Sequence, residues 1–173
     1  MTERIITDIH SHMLFGIDDG AESLEMSIEM LRQAQTQGVK NIFCTSHNWS
    51  VGTDSYNRNF ELLKKVCTQK CLDINIFEGM EIICNKRYLP QVITDINSST
   101  VKTMNSTDFV LVEMFPDMTG SEIYECIDSL ICNTGKKVIL AHVERYEGLY
   151  EDNLSLMCLK EIGCFFQINA YSL

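Results

Sequence analysis

The sequence predicts an α/β protein in which about six parallel strands alternate with helices. Short apolar runs recur along the 173 residues, and between them lie segments whose apolar residues have helical spacing. The apolar runs are mostly continuous, which is typical of strands covered on both faces. Polar residues follow most of these runs, and in parallel α/β folds the functional groups lie at the carboxyl ends of the strands.

The predicted strands are short and end in polar residues. In chain order they are Ile5–His10, Val39–Cys44, Ile74–Phe77, Phe109–Val112, Val138–Ala141 and Cys164–Ile168. The predicted helices start near Glu22 and then cover Phe60–Cys67, Asn85–Ile96, Ile123–Ile131 and Leu154–Glu161. Gly38 and Gly135 are residues at which helices commonly end. Because of Pro90, the sequence does not fix the residue at which the third helix starts.

Length and composition predict one domain over residues 1–173 in the cytoplasm. Hydrophobic residues make up 45 % of the chain, no apolar run reaches membrane-spanning length, and the amino terminus lacks a signal-peptide pattern. The eight cysteines contain no Cys-x-x-Cys pair and are expected to be buried free thiols.

The formal net charge of −10 argues against binding to nucleic acid or to an anionic membrane. A phosphorylated substrate would meet the same repulsion. Bound divalent cations would therefore have to reverse the local charge.

Each of the four histidines follows an apolar run. His10 and His12 come at the end of the first predicted strand, where residues two apart, together with Asp8, share one face. His47 and His142 follow two later strands. Two imidazoles on a rigid strand can grip a metal ion, with a carboxylate to orient them. The alternative is a pair of surface histidines near the amino terminus.

Acidic residues follow other predicted strands, namely Glu78 or Glu81, and Glu113. Imidazole and carboxylate ligands without a thiolate suit manganese, iron or zinc. Because four histidines and several acids exceed the needs of one ion, we infer at least two ions bridged by a carboxylate. Such sites are suited to the hydrolysis of phosphate esters.

Arg145 is the candidate for phosphate binding. It lies three residues after His142, and the planar guanidinium matches the oxygens of a phosphoryl group. The alternative is a surface ion pair with Glu144 or Glu147.

These residues also resemble a known family. Residues 8–12 (Asp-Ile-His-Ser-His) and 16–20 (Gly-Ile-Asp-Asp-Gly) are similar to the opening motif of the polymerase and histidinol phosphatase (PHP) superfamily. More narrowly, they resemble manganese-dependent tyrosine phosphatases of bacterial capsule and exopolysaccharide operons. Further matching segments are Thr45–His47, Glu78–Ile82, Leu111–Glu113, Ala141–Tyr146 and Gln167–Leu173.

The resemblance implies a distorted seven-stranded (β/α) barrel with a trinuclear centre. The implied ligand sets are His10, His12 and Glu81 for one ion, Glu81, Glu113 and His142 for a second, and Asp19 with His47 for a third. Arg145 would bind the phosphoryl group. Manganese is the expected metal, as two or three divalent ions, with iron and zinc as alternatives. The implied substrate is phosphotyrosine on a partner kinase that controls polysaccharide export.

One departure from the family is the end of the chain. The family has a further strand, ending in an Asp-x-His motif, after the residues that match Ser172 and Leu173. We therefore expect six strands, a weak third ion, fewer than three metals and lowered activity. The edge beside Cys164–Ile168 would be unpaired, so self-association is expected.

Three classes of function stay open at this point. The first is a metal-dependent protein-tyrosine phosphatase, and the second is a small-molecule phosphatase of the histidinol-phosphate type. The third is a catalytically impaired remnant that acts as a binding module. An exonuclease is disfavoured because the chain is acidic and has no basic stripe.

Overall fold

A computed structural model describes residues 5–48, 53–151 and 153–172. The chain divides into two compact units. The first unit is Met1–Met80 with Met104–Ser106, and the second is Glu81–Thr103 with Thr107–Leu173. Each unit contains one parallel sheet flanked by helices.

The first unit contains a three-stranded sheet in the order β1-β2-β3. The strands are β1 (Ile6–Ser11), β2 (Val39–Cys44) and β3 (Asn75–Glu78), and the helices are α1 (Leu24–Thr36) and α2 (Thr53–Gln69). The side chain of Ser23 caps α1 by accepting a hydrogen bond from the backbone of Met26. The core of this unit includes the fully buried side chains of Leu14, Leu31, Ile42, Tyr56 and Leu63.

The second unit contains a four-stranded sheet in the order β4-β5-β6-β7. Its strands are β4 (Glu81–Cys84), β5 (Phe109–Met114), β6 (Lys137–Leu140) and β7 (Phe165–Phe166). Its helices are α3 (Leu89–Asn97), α4 (Gly120–Thr134), α5 (Glu147–Glu151) and α6 (Asn153–Glu161). The core of this unit includes the fully buried side chains of Ile82, Leu111, Ile123, Ile127, Leu130 and Tyr146.

Helix α4 shows how the local sequence sets the ends of an element. Thr119 and Glu122 form a reciprocal capping box at its amino end, each side chain bonding the backbone of the other residue. Gly135 ends the helix in the left-handed conformation, with φ of 65°.

The predicted α/β class with parallel strands is confirmed, and the described residues contain one strand more than the six expected. The additional strand is β4, whose four residues are all buried. It was missed because only two residues, Gly79 and Met80, separate it from β3. Helix α3 starts at Leu89, with Pro90 in its first turn, where the missing N–H costs nothing.

Two expectations about the whole chain stay predictions, namely a single domain over residues 1–173 and closure of the strands into a barrel. Within the part of the chain that the structure describes, no helix is long and apolar enough to cross a membrane.

Candidate metal centre

The first cluster of candidate ligands lies where β1 ends and the chain folds back on itself. The carbonyl oxygen of His12 accepts a hydrogen bond from Ala21 N at 3.0 Å, and Gly16 N donates to Ala21 O at 2.8 Å. Any side chain at Gly20 would overlap the carbonyl group of His12, so this close approach requires glycine. The fold-back brings Asp18 and Asp19 beside the histidines.

Asp18 is the buried anchor of this cluster, with a side chain only 1 % exposed. Its Oδ2 lies 2.7 Å from Nδ1 of His12 and accepts a bond of 2.8 Å from the backbone N–H of His47. Its Oδ1 accepts from Gly20 N at 3.1 Å. Burial opposes ionisation of Asp18, but the bonds from His12 and His47 hold its pKa below the usual value. The carboxylate therefore fixes the His12 ring with Nε2 directed away from Asp18.

Potential ligand atoms of His12, Asp19 and His47 all lie within 4.8 Å of one another. Oδ1 of Asp19 is 3.7 Å from Nδ1 of His12 and 3.9 Å from Nε2 of His47. Nε2 of His10 lies 3.4 Å from Nε2 of His12, so these two side chains lie side by side at the end of β1. Asp8 instead accepts a bond from the backbone N–H of His10. The carboxylate that orients an imidazole here is thus Asp18.

The second cluster belongs to the other unit and contains Glu81, Glu113 and His142. Nε2 of His142 lies 3.1 Å from Oε1 of Glu81 and 3.2 Å from Oε1 of Glu113. Glu81 is 1 % exposed and His142 is 4 % exposed. Burial alone would lower the pKa of His142, but hydrogen bonds and charge from Glu113 and Glu81 raise it to about 9.

Arg145 lies in the short helical turn that follows His142. Its guanidinium donates a hydrogen bond from Nη2 to the hydroxyl of Tyr171, and Nδ2 of Asn169 lies 3.3 Å from the same hydroxyl. This bond to the hydroxyl of Tyr171 raises the pKa of Arg145, which stays charged. One of its five donors is engaged in this way, which leaves enough for bidentate binding of an oxyanion.

Both clusters fit a divalent cation. Nitrogen and oxygen ligands about 2.0–2.2 Å from one ion, at right angles to each other, lie about 3 Å apart. In the second cluster, the distances from Nε2 of His142 to Oε1 of Glu81 and to Oε1 of Glu113 match that value. Two carboxylates around a single imidazole are also a donor set for a hard or borderline cation, and neither cluster contains a thiolate.

Residues 6–173 match the family model described as capsular polysaccharide synthesis, CpsB/CapC. The chain belongs to the CpsB/CapC family. It is 28 % identical to the tyrosine-protein phosphatase CpsB of Streptococcus agalactiae serotype V, over 94 % of this chain and 67 % of the relative. It is 29 % identical to the tyrosine-protein phosphatase YwqE of Bacillus subtilis, over 96 % of this chain and 65 % of the relative.

A solved structure with the same fold has a TM-score of 0.81 and is 27 % identical in sequence. It comes from work on YwqE from Bacillus subtilis and CpsB from Streptococcus pneumoniae, described as unique metal-dependent tyrosine phosphatases. The match covers 94 % of this chain and 66 % of that one. The chain thus spans about two thirds of the length of these CpsB/CapC relatives, and the predicted family is confirmed.

Within the CpsB/CapC chain, the structure brings the predicted ligands together in two groups. His10, His12, Asp19 and His47 lie close together in the first unit, and Glu81, Glu113 and His142 do so in the second. The prediction missed Asp18, although it lies inside the Gly-Ile-Asp-Asp-Gly segment. Its neighbour Asp19 is also an aspartate, so the sequence alone could not distinguish the buried carboxylate from the exposed one.

Proposed function

We propose that this chain is a metal-dependent protein-tyrosine phosphatase. The observation that carries the proposal is the Glu81–His142–Glu113 cluster, in which Glu81 and His142 are buried, in a member of the CpsB/CapC family. Relatives named as tyrosine-protein phosphatases support the reaction and the class of substrate. The similar solved structure, described as metal-dependent, supports a divalent cation.

Each cluster has its own role in this proposal. His12, Asp19 and His47, with His10, would hold a divalent cation in the first unit. Glu81, Glu113 and His142 would hold another in the second unit, and Mn²⁺ is the metal we propose. Divalent ions at such sites supply Lewis-acid chemistry for the hydrolysis of phosphate esters.

The remaining roles belong to side chains of the chain itself. Asp18 accepts from Nδ1 of His12, so it fixes the tautomer and leaves Nε2 as the ligand atom. Arg145 presents a planar guanidinium that would bind two oxygens of the phosphoryl group. The carboxyl groups of Glu81 and Glu113 would provide the negative charge that a dication requires.

The proposal also covers the substrate protein and the cellular location. The substrate protein would be a bacterial tyrosine kinase that controls capsule or exopolysaccharide synthesis, since the family model is described by capsular polysaccharide synthesis. A cytoplasmic location fits the eight cysteines, all of which the structure shows as free thiols. We propose one domain over residues 1–173.

The test is a phosphatase assay on the full chain loaded with Mn²⁺. We expect turnover of phosphotyrosyl peptides to exceed that of phosphoseryl peptides and of histidinol phosphate. Replacing a ligand, in Glu113→Gln or His142→Ala, should lower kcat by about a hundredfold or more, since even residues that only support metal ligands contribute about 10- to 100-fold.

The matched control is Glu161→Gln, which removes an exposed carboxylate on α6 and should leave kcat unchanged. Wild-type turnover in His142→Ala would refute the metal-dependent mechanism. A clear preference for histidinol phosphate would instead assign the chain to small-molecule phosphatases.

A further inference from the structure

His142 has an unusual backbone conformation for its residue type. Its φ of 32° and ψ of 55° lie in the left-handed region, where a side chain with a Cβ is strained. Such a conformation persists only when surrounding contacts hold it. The contacts that hold His142 therefore decide where its imidazole lies.

The holding contacts come from Gln167, which follows β7. Oε1 of Gln167 accepts a bond of 2.7 Å from the backbone N–H of His142, and its main-chain oxygen accepts one of 2.9 Å from Val143 N. The backbone N–H of Gln167 donates to Leu140 O at 2.9 Å. One residue thus binds the chain two residues before His142, at His142 and one residue after it.

The side-chain amide of Gln167 is itself fixed. It is 9 % exposed, and its Nε2 donates a bond of 3.0 Å to Oδ1 of Asn169. Because Asn169 supplies an acceptor and His142 supplies a donor, only one orientation of the amide satisfies both. The acceptor Oε1 is therefore held toward His142.

We propose that Gln167 is a positioning residue for the second metal cluster. By accepting the N–H of His142, it holds this residue in the conformation from which Nε2 reaches both Glu81 and Glu113. The inference rests on the proposed function for its catalytic consequence, but its structural consequence exists without any metal. Loss of the acceptor lets the His142 backbone relax, and the imidazole moves away from the two carboxylates.

The experiment compares three variants of the full chain. Gln167→Met keeps the length of the side chain and removes both polar atoms, whereas Gln167→Glu keeps an oxygen that can accept from His142. Gln91→Met, on the exposed face of α3, is the matched control. The chain has four histidines, so imidazole nitrogen NMR signals of the chelator-treated protein can be followed residue by residue.

In Gln167→Met we expect the imidazole signals of His142 to shift while those of His12 and His47 stay in place. Mn²⁺ affinity, measured by titration calorimetry, should fall by about 10- to 100-fold, and kcat should fall more than KM rises. Gln167→Glu should recover much of the affinity, and Gln91→Met should match the wild type.

Unchanged His142 signals and unchanged Mn²⁺ affinity in Gln167→Met would overturn the inference. So would a lower unfolding temperature with wild-type Mn²⁺ affinity, because Gln167 would then be only structural. If Gln167→Met does not fold, Gln167→Glu decides the question. His142 imidazole signals and Mn²⁺ affinity equal to those of the wild type support the proposal, and displaced His142 signals overturn it. A wild-type chain without phosphatase activity would refute the proposed function, while the NMR comparison would still decide the role of Gln167.

Discussion

Asp18 and Asp19 are neighbours in the sequence with opposite environments. The side chain of Asp18 is 1 % exposed and accepts three hydrogen bonds, whereas that of Asp19 is 82 % exposed. Asp18 therefore orients His12 and His47, and in the proposed metal site Asp19 would offer its oxygen to the cation. Under that proposal, one of the two adjacent carboxylates supports the ligands and the other is a ligand.

Replacing Asp18 tests this division. Asp18→Asn keeps the shape of the side chain but removes its charge. If the amide oxygen takes the place of Oδ2 and accepts from His12 and His47, the amide nitrogen faces the N–H of Gly20, which loses its acceptor. We expect metal affinity of the first cluster to fall by about 10- to 100-fold, measured by Mn²⁺ titration. Asp117→Asn, at an exposed position, is the control. Equal affinity in both variants would show that Asp18 does not support the ligands.

Tyr171 allows a separate test of Arg145. Tyr171→Phe keeps the ring and removes the hydroxyl that accepts from the guanidinium. Since one hydrogen bond contributes about 0.5–1.5 kcal/mol, KM for a phosphotyrosyl peptide should rise about two- to tenfold. Tyr150→Phe, on an exposed residue of α5, should leave KM unchanged. A lower KM in Tyr171→Phe would mean that Tyr171 obstructs Arg145.

At the scale of single elements, hydrogen bonds at the amino end of a helix determine the residue at which the helix begins. Helix α4 has both halves of a capping box and a left-handed glycine at its carboxyl end. Its inward face carries Ile123, Ile127 and Leu130, which are fully buried. The cap sets the starting point of the helix, and burial of this face supplies most of its stability.

The capping box gives a prediction about stability. Thr119→Ala removes the oxygen that accepts from Glu122 N, so the free energy of unfolding should fall by about 1 kcal/mol. Urea denaturation of the metal-free chain measures it. Thr68→Ala, within α2 and exposed, should be neutral or slightly stabilising because alanine is the better helix former. Similar losses in both variants would contradict a specific role for the cap.

At the scale of the whole molecule, a proton and the proposed metal ion would compete for the second cluster. The carboxylates of Glu81 and Glu113 favour either a protonated His142 or a cation beside a neutral His142. Their charges raise the pKa of His142 to about 9 in the metal-free protein, against an ordinary value of 6.5. Protonation of His142 is thus linked to folding.

This linkage predicts how stability depends on pH. Because the folded-state pKa is raised, the stabilisation from His142 is fully present below pH 6.5 and is lost as pH rises through about 9. Urea midpoints of the chelator-treated protein should show this loss, and His142→Asn should not show it. Over the same range Mn²⁺ affinity should increase, because binding requires the proton to leave. A wild-type profile that matches the variant would refute the linkage.

Most of the fold and most of the candidate ligands could be predicted from the sequence. The spacing of apolar residues along the chain predicts the alternation of strands and helices, because each element buries particular faces. The four histidines, Arg145 and several acids stand out because each follows an apolar run at a predictable end of a strand. The resemblance to the family then implies ligand sets at these positions.

Only the tertiary structure decided which acid is buried, where β4 begins and what holds His142. Gln167 lies 25 residues from His142 in the sequence, and Glu81 lies 61 residues from it. Hydrogen bonds over such separations leave no periodic trace, because each depends on how distant segments pack rather than on neighbouring residues. Asp18 and Gln167 look like ordinary polar residues until folding removes them from water and gives each one its partners.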